Sequence, residues 1–458
     1  MTLTAKPKVV SRIVCGPPGS GKTARLLEAY ADCVRGGRWD AALYLVPTVR
    51  VADLVRGRMR EVGLSGLFDF RVMTFAEAAD ALLVANHVPV AAISDLQQRC
   101  ILRQILEQMS EDELGPLAAQ RAGPGLVTCL LEDINELKAA GVEPKALLDA
   151  FQADNLTDPV ALATARVYQH YQDFLRSNSP ELFDGPGMLW QASQQLDRAW
   201  KDRRQARPFE AMRLVLADGF SDFTTVELQM LARLAALAGE CLVSLTYEPG
   251  QADGRPELQA IPKRTWEALH EHLGSIGEVQ MECLEASREA DTDLAYLRRY
   301  MFDRTAGPRG EQAGASWDGS VSVMQAPGPW GEVRMVAREV KRLIGPAGGS
   351  ERLRPGQIGI IARSLDNYRI ALGQVFAEYG LPIFVAGGEP VADRPCVRFV
   401  ADLLRLIEED YPRAATVAVL DAAWEKIAGD KRGVAEGSQA DYVSRQAGIT
   451  GGADIWEG

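Results

Sequence analysis

The chain has 458 residues, with 50 lysines and arginines against 62 aspartates and glutamates, a formal net charge of −12. Its 47% hydrophobic, 24% charged and 7% aromatic content is globular, which excludes a disordered, fibrous or collagenous chain, and the acidity excludes a generally basic nucleic-acid coat. No uninterrupted apolar run of about 18 residues exists to span a membrane, and seven scattered cysteines without a C-x-x-C pair fit a reducing cytoplasm better than a disulfide framework or a zinc site.

The first 90 residues alternate strand and helix patterns. RIVCG (12–16) is a short β-branched run, followed by a Gly-rich turn and the amphipathic TARLLEAYADCV. ALYLVP is a second buried-strand candidate, stopped by Pro47 and followed by the helical VADLVRGRMREV. FRVMT is a third, and Thr74 with Glu77 forms a capping box that opens FAEAADALLV. This rhythm predicts a parallel sheet covered by helices, hence an α/β fold. Residues 1–90 also carry 12 basic and 8 acidic residues, so the acidity lies in the rest of the chain. A second basic tract runs from Arg198 to Arg213. Such runs read either as solvated helix faces or as a track for a polyanion on one lobe.

From 91 to 205 the pattern is helical only, with a capping box at Ser94–Gln97 and a cap followed by a first-turn proline at Asp158–Pro159. Strands return within 206–303, in MRLVLADGF and ECLVSLTYE, so the helical stretch is expected to be an insertion into one α/β domain. Residues 304–320, Gly-, Ala- and polar-rich, read as a linker. A second, partial α/β lobe is predicted over 321–396, with strands in VSVMQAP, IGIIAR and LPIFVAG around two helices. Residues 397–458 read as the start of a further helical insertion, cut short.

Residues Gly16-Pro-Pro-Gly19-Ser20-Gly21-Lys22-Thr23 match G-x-x-x-x-G-K-[ST] in full, between a strand and a helix. In such a loop the glycines let backbone N–H groups converge on phosphate oxygens, and the helix N-terminus adds a favourable dipole. Lys22 would bridge the terminal phosphates of ATP and the Thr23 hydroxyl would ligate Mg²⁺. The chemistry requires an acid at the end of a neighbouring strand, and Asp218 in LVLADGFSDFTTVELQ is the candidate second metal partner. ATP-driven motors place a glutamate directly after that aspartate, to orient water; here the position is Gly219. Glu227 is the nearest substitute as catalytic base, but Thr224-x-x-Glu227 is itself a capping box, and Asp222 reads as a cap or a group near the metal.

These residues, in this order, resemble superfamily 1 helicases of the UvrD/Rep type. More closely, they resemble the AddB component of bacterial ATP-dependent helicase–nucleases. The resemblance runs through GPPGSGKT (16–23), LYLVPTVRVADLVRGRM (43–59), RVMTFAEAADALL (71–83), LADGFSDFTTVELQML (216–231), APGPWGEVRMVAREVKRLI (326–344) and IGIIARSLDNYRIALGQVFAEYGLPIFVAGGEP (358–390). It implies two RecA-like P-loop lobes with parallel sheets and an all-helical insertion in the first. It also implies ATP and Mg²⁺ as cofactors, single-stranded or duplex DNA as substrate, an AddA-like partner helicase–nuclease, and a role in double-strand break repair in the cytoplasm. Thr48, Thr74 and Phe75 fall in motifs that touch the DNA backbone in such helicases, or read simply as helix caps, and Arg363 stands where the family often keeps an arginine near the inter-lobe cleft.

The chain departs from the motor pattern in lacking an adenine-reading glutamine segment upstream and an Asn-Tyr-Arg-Ser motif around 324–332. It also stops before the late helicase motifs and the nuclease with its iron–sulfur cysteines, so it is expected to be an N-terminal portion without nuclease site or cluster. The expected function is ATP binding and DNA tracking with weak hydrolysis, catalysed by Lys22 and Asp218 with Glu227. The alternatives are a genuine superfamily 1 motor using Glu227 as base, and a non-catalytic scaffold for a partner helicase.

Overall fold

A computed structural model describes residues 9–35, 39–64, 71–121, 123–154, 157–202, 207–251, 254–285, 292–304, 319–345, 352–387, 391–427 and 434–457. The chain forms two units, Met1–Val321 and Ser322–Gly458. Most of the expected linker, 305–318, lies outside the described residues.

The first unit is built on one parallel sheet. Its opening half runs β1 (Val9–Cys15), α1 (Lys22–Arg35), β2 (Ala42–Leu45), α2 (Val49–Met59), β3 (Val72–Met73) and α3 (Phe75–Ala85). After the insertion come α9 (Gly185–Asp202), β6 (Leu214–Ala217), α10 (Thr225–Ala238), β7 (Glu240–Leu245), α11 (Pro256–Gly274), β8 (Gly277–Cys283) and α12 (Asp293–Tyr300). The spatial order is β3-β2-β6-β7-β1-β8, with every ladder parallel. Parallel neighbours need a crossover, and here helices supply it.

Alternation along the strands builds a core on each face. Leu43, Leu45, Val215, Ala217, Val243 and Leu245 point to one side, beneath α3, α9, α10 and α11. Ala42, Tyr44, Leu214, Leu216 and Leu242 point to the other, beneath α1 and α2. Strands buried on both faces read as continuous apolar runs, which is why β2, β6 and β7 were visible in the sequence. The edge strand β8, GEVQMEC, is half polar and only partly buried, so it leaves no continuous apolar run.

The inserted segment comprises β4 (Ala91–Ala92), α4 (Asp95–Gln108), α5 (Glu111–Leu114), α6 (Pro124–Ala139), α7 (Pro144–Ala153), α8 (Pro159–Ser177) and β5 (Leu182–Phe183) before α9. It is not purely helical: β4 and β5 form a two-stranded parallel ladder, too short to leave a periodic signal. Leu102, Leu106, Ile134, Val167 and Tyr171 form its own core. Beside that core, fully buried Lys138 donates to Asp184 at 2.7 Å and to Gln172 at 3.0 Å.

The second unit contains α13 (Gly328–Ile344), α14 (Arg369–Glu378), α15 (Pro395–Glu408), α16 (Arg413–Ile427), α17 (Val434–Gln446) and α18 (Ala453–Glu457). Helices α13 and α14 share a core of Val333, Ala337, Val340, Leu372, Val375 and Phe376, closed by Leu381. The order of helix and extended segment is that of an α/β lobe. Among the described residues, however, the three expected strands in VSVMQAP (321–327), IGIIAR (358–363) and LPIFVAG (381–387) are not paired into a ladder, and every described ladder lies in the first unit. No helix among the described residues is long and apolar enough to cross a membrane.

Candidate nucleotide site at the carboxyl edge of the parallel sheet

All strands of a parallel sheet end on the same edge, so the residues that follow them are neighbours however far apart in sequence. At that edge stand the Gly16–Thr23 loop after β1, Thr48 after β2, Thr74 after β3 and Asp218 after β6. Because β7 separates β1 from β6, the acid is not on the strand adjacent to the loop, as the sequence had suggested, but one strand further along.

The loop is closed around its own lysine. Lys22 Nζ donates to the carbonyls of Gly16 at 2.8 Å and Pro17 at 2.7 Å, with the Ser20 hydroxyl at 3.5 Å. Ser20 N donates to Pro17 O at 3.2 Å, and Arg25 N to Gly21 O at 2.9 Å as α1 begins. Gly16 has to be glycine: a Cβ there would stand 2.5 Å from the Leu284 carbonyl. Burial lowers the Lys22 pKa, the charges of Asp218 and Glu248 oppose that shift, and Arg298 adds to it.

Asp218 is 4% exposed and each of its oxygens is oriented by a hydroxyl. Tyr44 donates to Oδ2 at 2.8 Å and Ser244 to Oδ1. Burial first, and then the charge of Asp218, push the Tyr44 pKa far above its ordinary value, so Tyr44 stays a donor. Neither Tyr44 nor Ser244 stood out in the sequence; the available signal was a polar atom inside an otherwise apolar strand. The two hydroxyls leave each carboxylate oxygen further acceptor capacity. Thr23 at the start of α1 and Asp218 carry oxygen donors of the kind a hydrated Mg²⁺ takes, and are the residues that could hold one. No cluster of three or more His, Cys, Asp or Glu suited to a metal occurs among the described residues.

The other sequence candidates fall as follows. Gly219 has φ +82° and lies against Pro47, so the backbone after Asp218 takes a left-handed turn that disfavours a glutamate. Glu227 sits in a capping box at the start of α10, its Oε2 accepting from Thr224 N at 2.9 Å and Thr224 Oγ1 at 3.0 Å. Thr48 and Thr74 are the N-caps of α2 and α3. The Phe75 ring is buried in the core, 5.5 Å from Phe220 and 6.3 Å from Phe223. Arg363 is exposed in the second unit. The basic surplus of the N-terminal segment is partly neutralised: Arg12 pairs with Glu240, Arg25 with Glu282 and Arg56 with Asp53. Of the second basic tract, Arg207 pairs with Glu210, and 203–206 lie outside the described residues.

A cavity of about 870 Å³ adjoins the loop at Pro18 and Arg298, but neither Gly19 to Thr23 nor Asp218 lines it.

Fold and edge together define an α/β protein with a parallel sheet and a glycine-rich strand–turn–helix at its carboxyl edge. A model of the family described as ADDB, N-terminal, matches residues 13–297, and the chain belongs to that family. It is similar to proteins named as the B subunit of an ATP-dependent helicase/deoxyribonuclease. The one from Pelotomaculum thermopropionicum is 26% identical over 421 residues, 87% of this chain and 34% of that protein. Those of Symbiobacterium thermophilum and Desulforudis audaxviator are 25% and 27% identical, over the same shares. The chain therefore spans about a third of the length of these relatives.

Proposed function

We propose that this chain is the ATP-binding, DNA-tracking portion of a cytoplasmic helicase–nuclease component that works with an AddA-like partner in double-strand break repair. The observation that carries the reading is the Gly16–Thr23 loop between β1 and α1, with Asp218 held by Tyr44 and Ser244 on the same sheet edge. Lys22 leaves the carbonyls of Gly16 and Pro17 for the β- and γ-phosphates, and the loop amides take the remaining oxygens. Thr23 and Asp218 would hold Mg²⁺, Thr23 through its hydroxyl and Asp218 through its carboxylate. Bound Mg²⁺ supplies charge neutralisation between the phosphates.

Turnover is slow, because the position after Asp218 is a left-handed glycine and the Glu227 carboxylate is engaged in a helix cap. ATP acts mainly as a conformational ligand. Thr48 stands on the same edge, where a hydroxyl contact to a DNA backbone is sequence-independent; Thr74 stands there too, but its hydroxyl donates to Glu77 Oε2 at 3.1 Å and would have to leave that bond to reach a phosphate.

Titration with a fluorescent ATP analogue, with and without Mg²⁺, tests the reading. Wild type binds and Lys22→Ala does not. Lys22-independent binding, or none by wild type, overturns it. Brisk turnover stimulated by single-stranded DNA and abolished by Lys22→Ala would refute slow hydrolysis alone.

A further inference from the structure

Helix α12 reaches the nucleotide loop from the far end of the first unit. Arg298 Nη1 donates to the Pro18 carbonyl at 2.7 Å, a contact between residues 280 apart in sequence. A Cβ built on Gly19 would stand 2.8 Å from the same nitrogen, so the guanidinium lies directly against the loop. Its charge also acts on Lys22. Two cations from distant parts of the chain converge on one glycine-rich turn, and the Pro18 carbonyl is a neutral acceptor, weaker than a phosphate oxyanion.

The helix that carries Arg298 is anchored at both ends. Arg255, 4% exposed, donates from Nη1 to the carbonyls of Arg298 at 3.3 Å and Arg299 at 2.9 Å, a cation at a helix C-terminus. At the other end, the Thr292 hydroxyl accepts from Ala295 N at 3.1 Å. Buried Asp293 accepts from Gly319 N at 3.2 Å, and Leu294 N donates to the Ser320 hydroxyl at 3.1 Å. Gly319 and Ser320 lie just before Ser322, where the second unit begins. An unbroken series of hydrogen bonds and one short helix thus connects the Pro18 carbonyl to the chain entering the second unit.

We propose that Arg298 senses the terminal phosphate of the bound nucleotide and that α12 relays its position to Gly319–Ser320. The inference rests on the ATP reading above. With ATP bound, the guanidinium exchanges the Pro18 carbonyl for a γ-phosphate oxygen; with ADP bound, which lacks that group, it stays on Pro18. The displacement reaches Gly319 and Ser320 through Asp293 and Leu294, because Arg255 fixes the carboxyl end of the helix as a pivot.

The experiment compares affinities of fluorescent ATP and ADP analogues for the 458-residue chain, its Arg298→Ala and Arg298→Lys variants and Lys22→Ala. Amide exchange at 319–321 is followed with and without a non-hydrolysable ATP analogue. Arg298→Ala weakens ATP about tenfold, roughly 1.4 kcal/mol, leaves ADP within about twofold, and Arg298→Lys restores part of the difference. ATP slows exchange at 319–321 in wild type and not in Arg298→Ala. Equal changes for ATP and ADP, or none, overturn the phosphate contact; exchange unaffected by ATP in wild type overturns the relay. Absence of any Lys22-dependent binding by wild type is a different result, which removes the ATP reading and this one with it.

Discussion

The hydroxyl of Tyr44 donates to Asp218 Oδ2 at 2.8 Å across 174 residues of chain, fixing the orientation of the one buried carboxylate that follows β6. Register brings the two together: Tyr44 pairs with Leu216 and Leu45 with Ala217 on adjacent parallel strands. Tyr44→Phe keeps the edge-on packing against Tyr30 at 6.0 Å and removes only the donor. We expect a loss of about 1–3 kcal/mol, seen as a lower urea midpoint, and a several-fold weaker Mg²⁺-dependent affinity for ATP. Unchanged stability and affinity would mean that Ser244 alone orients the carboxylate.

Gly219 separates this chain from glutamate-bearing motors by backbone as well as by side chain. At φ +82° a glutamate is strained, so Gly219→Glu is expected to cost about 1–2 kcal/mol without raising ATP turnover. Thermal unfolding and a steady-state phosphate-release assay measure the two effects. A large gain in turnover would show that the turn relaxes and that only the carboxylate was wanting.

The buried pair in the helical insertion provides a stability test remote from the loop. Lys138 bonds to Asp184, which also accepts from Tyr171 at 3.1 Å and from Gly187 N at 2.8 Å. Lys138→Met strands that carboxylate and is expected to cost about 3–5 kcal/mol. Adding Asp184→Asn removes the stranded charge while keeping an acceptor, and should recover a large part of the loss. If the double variant is no more stable than the single one in urea, the cost lies in packing around Lys138 rather than in the charge.

Cys15 closes β1 beside Cys283 of β8 in direct register. Burial above all, with Cys283 adding, pushes the Cys15 thiol up to about 12. The unfolded thiol titrates near 8.5, so above that pH the unfolded chain releases a proton that the folded chain retains. The contribution to stability is complete below about pH 8.5 and is lost as pH rises toward 12. Cys241, also pushed up to about 12 by burial, adds in the same direction. Urea midpoints should fall between about pH 8.5 and 10.5, less steeply in a Cys15→Ala/Cys241→Ala variant. At pH 8 iodoacetamide should label exposed Cys283 and spare Cys15; equal labelling would contradict the burial.

Features legible in the sequence are those closed within one turn of chain. The capping boxes at Thr74–Glu77, Ser94–Gln97 and Thr224–Glu227 are each present, because a cap needs only a fixed spacing of three residues. The same locality explains why Glu227 reads from sequence as a cap or a base: both readings share the residue, and in the folded chain its carboxylate is bonded to Thr224. The apolar runs of β2, β6 and β7 were equally plain, whereas the half-polar edge strand β8 was not. In the second unit the extended segments were apolar enough to read as strands, but pairing is a property of a sheet and not of a segment.

The sequence by itself determined the glycine-rich loop, the strand and helix that flank it, and the helix starts, since backbone conformation over a few residues follows from local sterics and spacing. Only the tertiary structure decided that β7 lies between the loop strand and the acid strand, that Tyr44 and Ser244 hold Asp218, and that Arg298 reaches Pro18. Those contacts join residues up to 280 positions apart, and the order in which parallel strands assemble is set by which faces bury the most apolar surface together, a collective quantity that no single segment carries.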